Sequence, residues 1–136
     1  LYLLDTNIVG YLLSGRSAVA RARYAKMGEE ADFAISALTE AEVRFGCERK
    51  PAATRLHLEV EGFLSSLNIL AWDSAAAQSY AKLRVYMQSL GRTLEAMDML
   101  IAAHALSVGA VLVTRDKGFA GVAGFLQTEN WATDVL

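Results

Sequence analysis

A single cysteine, a single proline and two histidines stand in a chain of 136 residues. One cysteine forms no internal disulfide, and Cys47 with His57 and His104 falls short of a structural zinc set. Any metal held here is therefore held by oxygen. Nothing in the cysteine usage asks for an oxidising compartment. One proline against ten glycines excludes a proline-rich linker and a collagen repeat. No apolar run approaches the roughly 20 residues that span a bilayer. No basic leader with a small-residue cleavage site precedes Leu1-Tyr2-Leu3-Leu4. The chain lacks an initiator methionine and is read as trimmed, with a cytoplasmic location and no membrane partner expected.

Apolar residues, by contrast, make up 54% of the chain and charged residues 21%, the composition of a folded domain rather than a disordered one. The length suits one domain, taken as residues 1–136. Thirteen basic residues face fifteen acidic ones, a net charge of −2, which argues against a strongly basic nucleic-acid binder.

Short apolar runs alternate with longer helical stretches. Strands are expected at 1–4, 32–36, 68–72 and 110–114, with a last one near 125–128. Helices are expected over about 5–13, 17–27 and 38–49. Pro51 is placed in the first turn of the next helix, which carries Leu56, Val60, Phe63, Leu64 and Leu67. Asp73 is expected to cap a helix closed by Gly91, and the helix over 95–107 stops before Gly109. Alternation of this kind implies an α/β fold of three layers, α/β/α, around a short, mostly parallel sheet of four to five strands. Ligands of such sheets bind beyond the carboxyl ends of the strands, where the strand order reverses.

Polar residues following the strands are therefore the informative ones. Asp5 follows the first strand and Asp116 the fourth. Glu42 sits early in the helix after the second strand, and Asp98 early in the helix that leads into the fourth. Each has a plain structural reading. Asp5 can cap its helix, Thr39 and Glu42 have capping-box spacing, and Asp116 can be a turn residue before Gly118. Asp98 resists such a reading, because Ala96-Met97-Asp98-Met99-Leu100-Ile101 is apolar on nearly every side, and no lysine or arginine lies three or four residues away. Four carboxylates at one rim share a cause if a cation sits between them. Hard oxygen donors suit Mg²⁺ or Mn²⁺, and carboxylate-held Mg²⁺ points to phosphodiester chemistry. Setting these four acids aside leaves 11 acidic against 13 basic residues, a balance of +2, so the remaining surface can accept a polyanion. Arg44, Arg115 and Lys117 are placed to touch phosphates.

Several blocks carry a resemblance: Leu3-Leu4-Asp5-Thr6-Asn7-Ile8, Ser36-Ala37-Leu38-Thr39-Glu40-Ala41-Glu42-Val43, Asp98-Met99-Leu100-Ile101-Ala102-Ala103-His104-Ala105, Val113-Thr114-Arg115-Asp116 and Glu129-Asn130-Trp131. In this order and spacing the chain resembles PIN-domain nucleases, and more closely the VapC-like toxins of type II toxin–antitoxin pairs. The resemblance implies a Mg²⁺- or Mn²⁺-dependent endoribonuclease, a homodimer, and a VapB-like antitoxin whose C-terminal segment covers the active site. DNA would be reached only through that antitoxin. It implies that Asp5, Glu42 and Asp98 are the core carboxylates and Asp116 the fourth, with Asp5, Asp98 and Asp116 as metal ligands. Thr6, Asn7 and Thr114 match supporting polar positions. The loop departs from the family pattern, because Gly118 rather than an acid precedes Phe119.

Two other readings compete. In one, the chain is a catalytically weak binding module that acts in an antitoxin–DNA autorepression complex. In the other, it is a phospho-acceptor domain using Asp73. That architecture wants paired acids after the first strand, where this chain has Asp5 alone. His104 is expected to be a packed histidine. Cys47 lacks an evident histidine partner for thiol catalysis.

Overall fold

A computed structural model of the chain describes residues 1–14, 18–28, 31–115, 117–119 and 125–131. Five strands form one sheet: β1 (Tyr2–Leu4), β2 (Phe33–Ser36), β3 (Asn68–Leu70), β4 (Val111–Val113) and β5 (Thr128–Glu129). Their spatial order is β3-β2-β1-β4-β5, and every neighbouring pair is parallel. The expected α/β architecture with a short parallel sheet is thus present. The chain runs outward from β1 through β2 to β3, then returns to lay β4 on the other side of β1. The reversal falls between β1 and β4.

Among the described residues six helices connect the strands: α1 (Thr6–Ser14), α2 (Ala18–Met27), α3 (Ala37–Glu48), α4 (Thr54–Ser65), α5 (Ser74–Ser89) and α6 (Ala96–Ser107). A short 3₁₀ turn covers Lys117–Phe119. Successive strand residues point to opposite faces, and the apolar strands serve both. Leu3, Ala34 and Leu112 pack with Leu83, Met87 and Ile101 of α5 and α6. Leu4, Ile35 and Val113 pack on the other face with Ile8 and Val9 of α1 and Leu64 of α4. Trp131 is fully buried in that second core.

α6 is apolar all round because it is a core helix: Met99 and Ile101 through Ala105 are all buried. It ends on Gly109 and α5 on Gly91, both at φ +67°, the left-handed conformation that glycine adopts without a Cβ penalty. Pro51 does not open α4. The Ala53 N–H donates to the Lys50 carbonyl at 3.0 Å, so Pro51 is the second residue of a β-turn, where its fixed φ is favoured, and α4 starts three residues later. The last strand lies slightly beyond its expected place, at Thr128–Glu129, where it completes the ladder on β4.

Candidate active site

Asp5 leaves β1 and caps α1 at once. Its Oδ1 accepts the Ile8 N–H at 2.9 Å, its own N–H donates to the Val113 carbonyl at 3.0 Å, and it is 6% exposed. The sheet and the helix thus fix both ends of the residue, and the carboxylate is held at the carboxyl edge beside the β1–β4 reversal.

Glu42 is brought to the same edge by α3. This helix starts without a linker: Ser36, the last residue of β2, is also its cap, accepting the Leu38 N–H at 3.1 Å. The capping-box reading of Thr39 and Glu42 is therefore wrong, because Ser36 already occupies the cap. Both side chains turn instead toward α1. The Thr6 hydroxyl donates to Glu42 Oε1 at 3.0 Å, and the fully buried Thr39 hydroxyl lies 3.3 Å from the Thr6 oxygen. Thr6 has one hydroxyl hydrogen, which the carboxylate takes, so Thr39 supplies the hydrogen of the second bond. The role of Thr39 is not visible in the sequence, because its spacing to Glu42 has a commoner explanation.

Asp98 lies in the first turn of α6, half-buried. Residues 108–110 return the chain directly from α6 into β4, so α6 runs antiparallel to β4 and its first turn lies at the strand's carboxyl end. The N-termini of α1, α3 and α6 all face this edge, and their partial positive charge favours carboxylates there. Thr114 is buried just beyond β4, and its N–H donates to the Glu129 carbonyl at 2.9 Å. Asn7 is exposed in the first turn of α1. Asp116 lies outside the described residues, as does the side chain of Lys117.

Thr6 and Glu42 also line a cleft of about 380 Å³ between α1, α3 and α4, with Leu13, Val43 and Leu56 along its walls.

The arginines expected at phosphates have side-chain partners within the chain. Arg44 pairs with Glu40 at 2.9 Å and with Glu61, two hydrogen-bonded carboxylates that push its pKa up. Arg115 hydrogen-bonds the Tyr11 hydroxyl. Asp73 caps α5, accepting the Ala76 N–H at 3.0 Å, which gives it a structural duty rather than a phospho-acceptor one. Cys47 does share a small cavity with His57. The His57 Nε2 bonds instead to the carbonyls of Cys47 and Lys50, both at 3.0 Å, and fastens α4 to the end of α3. His104 is packed at 1% exposure, and burial lowers its pKa.

Among the described residues no group of three or more histidine, cysteine, aspartate or glutamate side chains is placed to hold a metal ion. Among the described residues the catalytic candidates at this edge, Asp5, Glu42 and Asp98, are all carboxylates. Such a set fits a hard cation that keeps several waters, and does not fit a tetrahedral zinc site.

The domain model for the PIN domain matches residues 2–125. The chain belongs to the PIN-domain family. Within the family it is similar to the tRNA(fMet)-specific endonuclease VapC of Shigella flexneri, at 31% identity over 96% of this chain and 98% of that one. It is 33% identical to ribonuclease VapC2 of Haemophilus influenzae, over 96% and 97% of the two chains. Among solved structures, the VapBC2 complex of Rickettsia felis bound to a promoter DNA fragment contains a similar chain. The TM-score is 0.85 at 28% identity, over 96% of this chain and 98% of that one. FitAcB from Neisseria gonorrhoeae gives 0.83 at 29%, with the same coverage. This PIN domain is thus of the VapC type over nearly its whole described length. No helix among its described residues is long and apolar enough to cross a membrane.

Proposed function

We propose that this chain is the toxin of a toxin–antitoxin pair and acts as a Mg²⁺- or Mn²⁺-dependent endoribonuclease. The observation that carries the reading is the Thr6–Glu42 hydrogen bond beside Asp5, the cap of α1, at the carboxyl edge where the strand order reverses. The names of the similar proteins, endonuclease and ribonuclease VapC, support RNA as the substrate class.

Asp5, Asp98 and Asp116 would hold the cation. A bound Mg²⁺ or Mn²⁺ would supply a Lewis acid that acidifies water and stabilises charge on the scissile phosphate. Asp5 contributes a carboxylate whose direction the cap sets before substrate arrives. Glu42 takes up or directs the proton of the attacking water, and Thr6 holds it in one rotamer while it does so. In-line attack leaves a 5′-phosphate and a 3′-hydroxyl.

A VapB-like antitoxin is the expected partner, because the similar solved chains lie in VapBC and FitAcB complexes. Promoter DNA in one of those complexes favours a second duty, autorepression through the antitoxin. The working unit is read as a homodimer in the cytoplasm.

The test is cleavage of total RNA by the purified, antitoxin-free chain, with Mg²⁺, with Mn²⁺ and with chelator, beside Asp98→Asn. Discrete fragments that need the cation and vanish in the variant are expected. Folded protein that cleaves nothing in any condition would leave only the binding role in the antitoxin–DNA complex.

A further inference from the structure

A second concave site lies away from the carboxylates. It is a cavity of about 240 Å³ between α5 and the segment that leads into α6. Met87 and Met99 line it together with Arg84, Gln88, Arg92 and Thr93. Among the described residues none that lines it is acidic, yet two are arginines. Arg23, Arg44 and Arg55 each pair with a glutamate. Arg84 and Arg92 make no ion pair among the described residues.

Both positions are set by structure. Arg84 donates to the Tyr80 hydroxyl at 3.2 Å, and its guanidinium lies 6.0 Å from the Tyr80 ring centre. Tyr80 in turn packs edge-on against Trp72, whose indole N–H donates to the Leu100 carbonyl of α6 at 2.9 Å. Arg92 follows Gly91, whose positive φ turns the chain back over the end of α5. The N–H groups of Gly91 and Arg92 then donate to the carbonyls of Gln88 and Met87, both at 3.0 Å. This pair of bonds is the glycine-dependent helix stop, and it brings Arg92 to the cavity that Arg84 already lines.

Two exposed arginines that line one cavity, with no ion pair among the described residues, leave guanidinium donors open to an anion. Guanidinium presents forked donors that match phosphate oxygens. The cavity also touches Ala96 and Met99, which flank Asp98 in the first turns of α6. The cavity therefore adjoins the end of α6 that carries Asp98.

We propose that Arg84 and Arg92 form a phosphate subsite for single-stranded RNA, holding the backbone of the substrate to the α6 side of the scissile bond. The inference rests on the nuclease reading above and names the residues that position its substrate.

Phosphate recognition carries no sequence information, so polyuridylate suffices as the probe. Its binding to the full chain carrying Asp98→Asn is measured by fluorescence anisotropy at several salt concentrations. Each phosphate neutralised on a single strand contributes ~0.7 to the slope of log Kd against log salt. Adding Arg84→Gln with Arg92→Gln should therefore weaken binding and flatten that slope by about 1.4. Arg84→Lys with Arg92→Lys should restore most of the slope, which a merely structural role would not produce. Circular dichroism confirms that each variant is folded, and Arg55→Gln serves as a control in which an ion-paired arginine is removed. An unchanged slope in the double glutamine variant overturns the subsite, as does an Asp98→Asn chain that fails to bind polyuridylate. Total-RNA cleavage by the parent chain is scored separately. Cleavage without the slope change sinks the subsite alone, whereas absent cleavage and absent binding together sink the nuclease reading as well.

Discussion

The Thr6 hydroxyl donates to Glu42 Oε1 across 3.0 Å and so joins the first turn of α1 to the second turn of α3. Asp5, next to Thr6, is the cap of α1. Two carboxylates from distant parts of the chain are thereby held relative to one another by a single hydroxyl. A hydrogen bond to a charged group is worth about 1.5–3 kcal/mol. Thr6→Val keeps the shape and removes the donor. It should lower kcat about tenfold or more in an RNA cleavage assay, with little change in KM, because the proposed mechanism has Glu42 act on the water rather than on binding. Thr6→Ser should keep most of the rate. Equal rates for valine and threonine would show that Glu42 needs no such restraint.

Asp5 caps α1, and substitution can separate that role from the metal-holding one proposed for it. Asparagine caps helices about as well as aspartate, whereas alanine at a cap costs about 1 kcal/mol. Asp5→Asn should melt within a few degrees of the parent and yet cleave no RNA. Asp5→Ala should lose both activity and stability, seen as a lower Tm. If Asp5→Asn retains cleavage, the charge is not part of the chemistry.

Trp131 ties the end of the described chain to the core. It is fully buried, lies edge-on to Phe33 with ring centres 5.6 Å apart, and donates its indole N–H to Glu129 Oε1 at 3.1 Å. Glu129 also pairs with Arg23 of α2 at 3.0 Å. Trp131→Ala should cost about 3–5 kcal/mol in urea unfolding, as for other large-to-small core changes. A cost well below that range would mean that the chain end contributes little to the fold.

The sheet was legible because its central strands β1, β2 and β4 are largely apolar and buried and long helices separate the strands, a pattern that fits a covered parallel sheet. Asp5 and Asp98 were legible for different reasons. The first follows a strand, and the second interrupts an otherwise apolar helix. Glu42 was harder, because Thr39 three residues before it offered a local explanation. Only the fold shows that Ser36 takes the cap and frees both side chains for α1. Pairwise partners were not legible at all. Nothing near Arg44 in sequence marks Glu61 as a partner, and nothing marks Arg84 and Arg92 as sharing a cavity. Those facts depend on how helices pack, and a single sequence encodes that only through the whole core.

His104 provides a pH test that is independent of catalysis. It is 1% exposed in α6, and its Nδ1 has no hydrogen-bond partner among the described residues. Desolvation lowers its pKa, while Asp73 opposes this more weakly. A histidine whose folded pKa lies below the unfolded value near 6.5 binds its proton more readily in the unfolded chain. Stability linked to it is therefore intact above about pH 6.5 and falls as pH drops from there through the folded value. Urea unfolding at about pH 7.5 and about pH 5, either side of that unfolded value, should show a lower midpoint in acid. His104→Leu removes the titrating ring at similar bulk and should shrink that difference. An equal drop in parent and variant would assign the acid sensitivity to other groups.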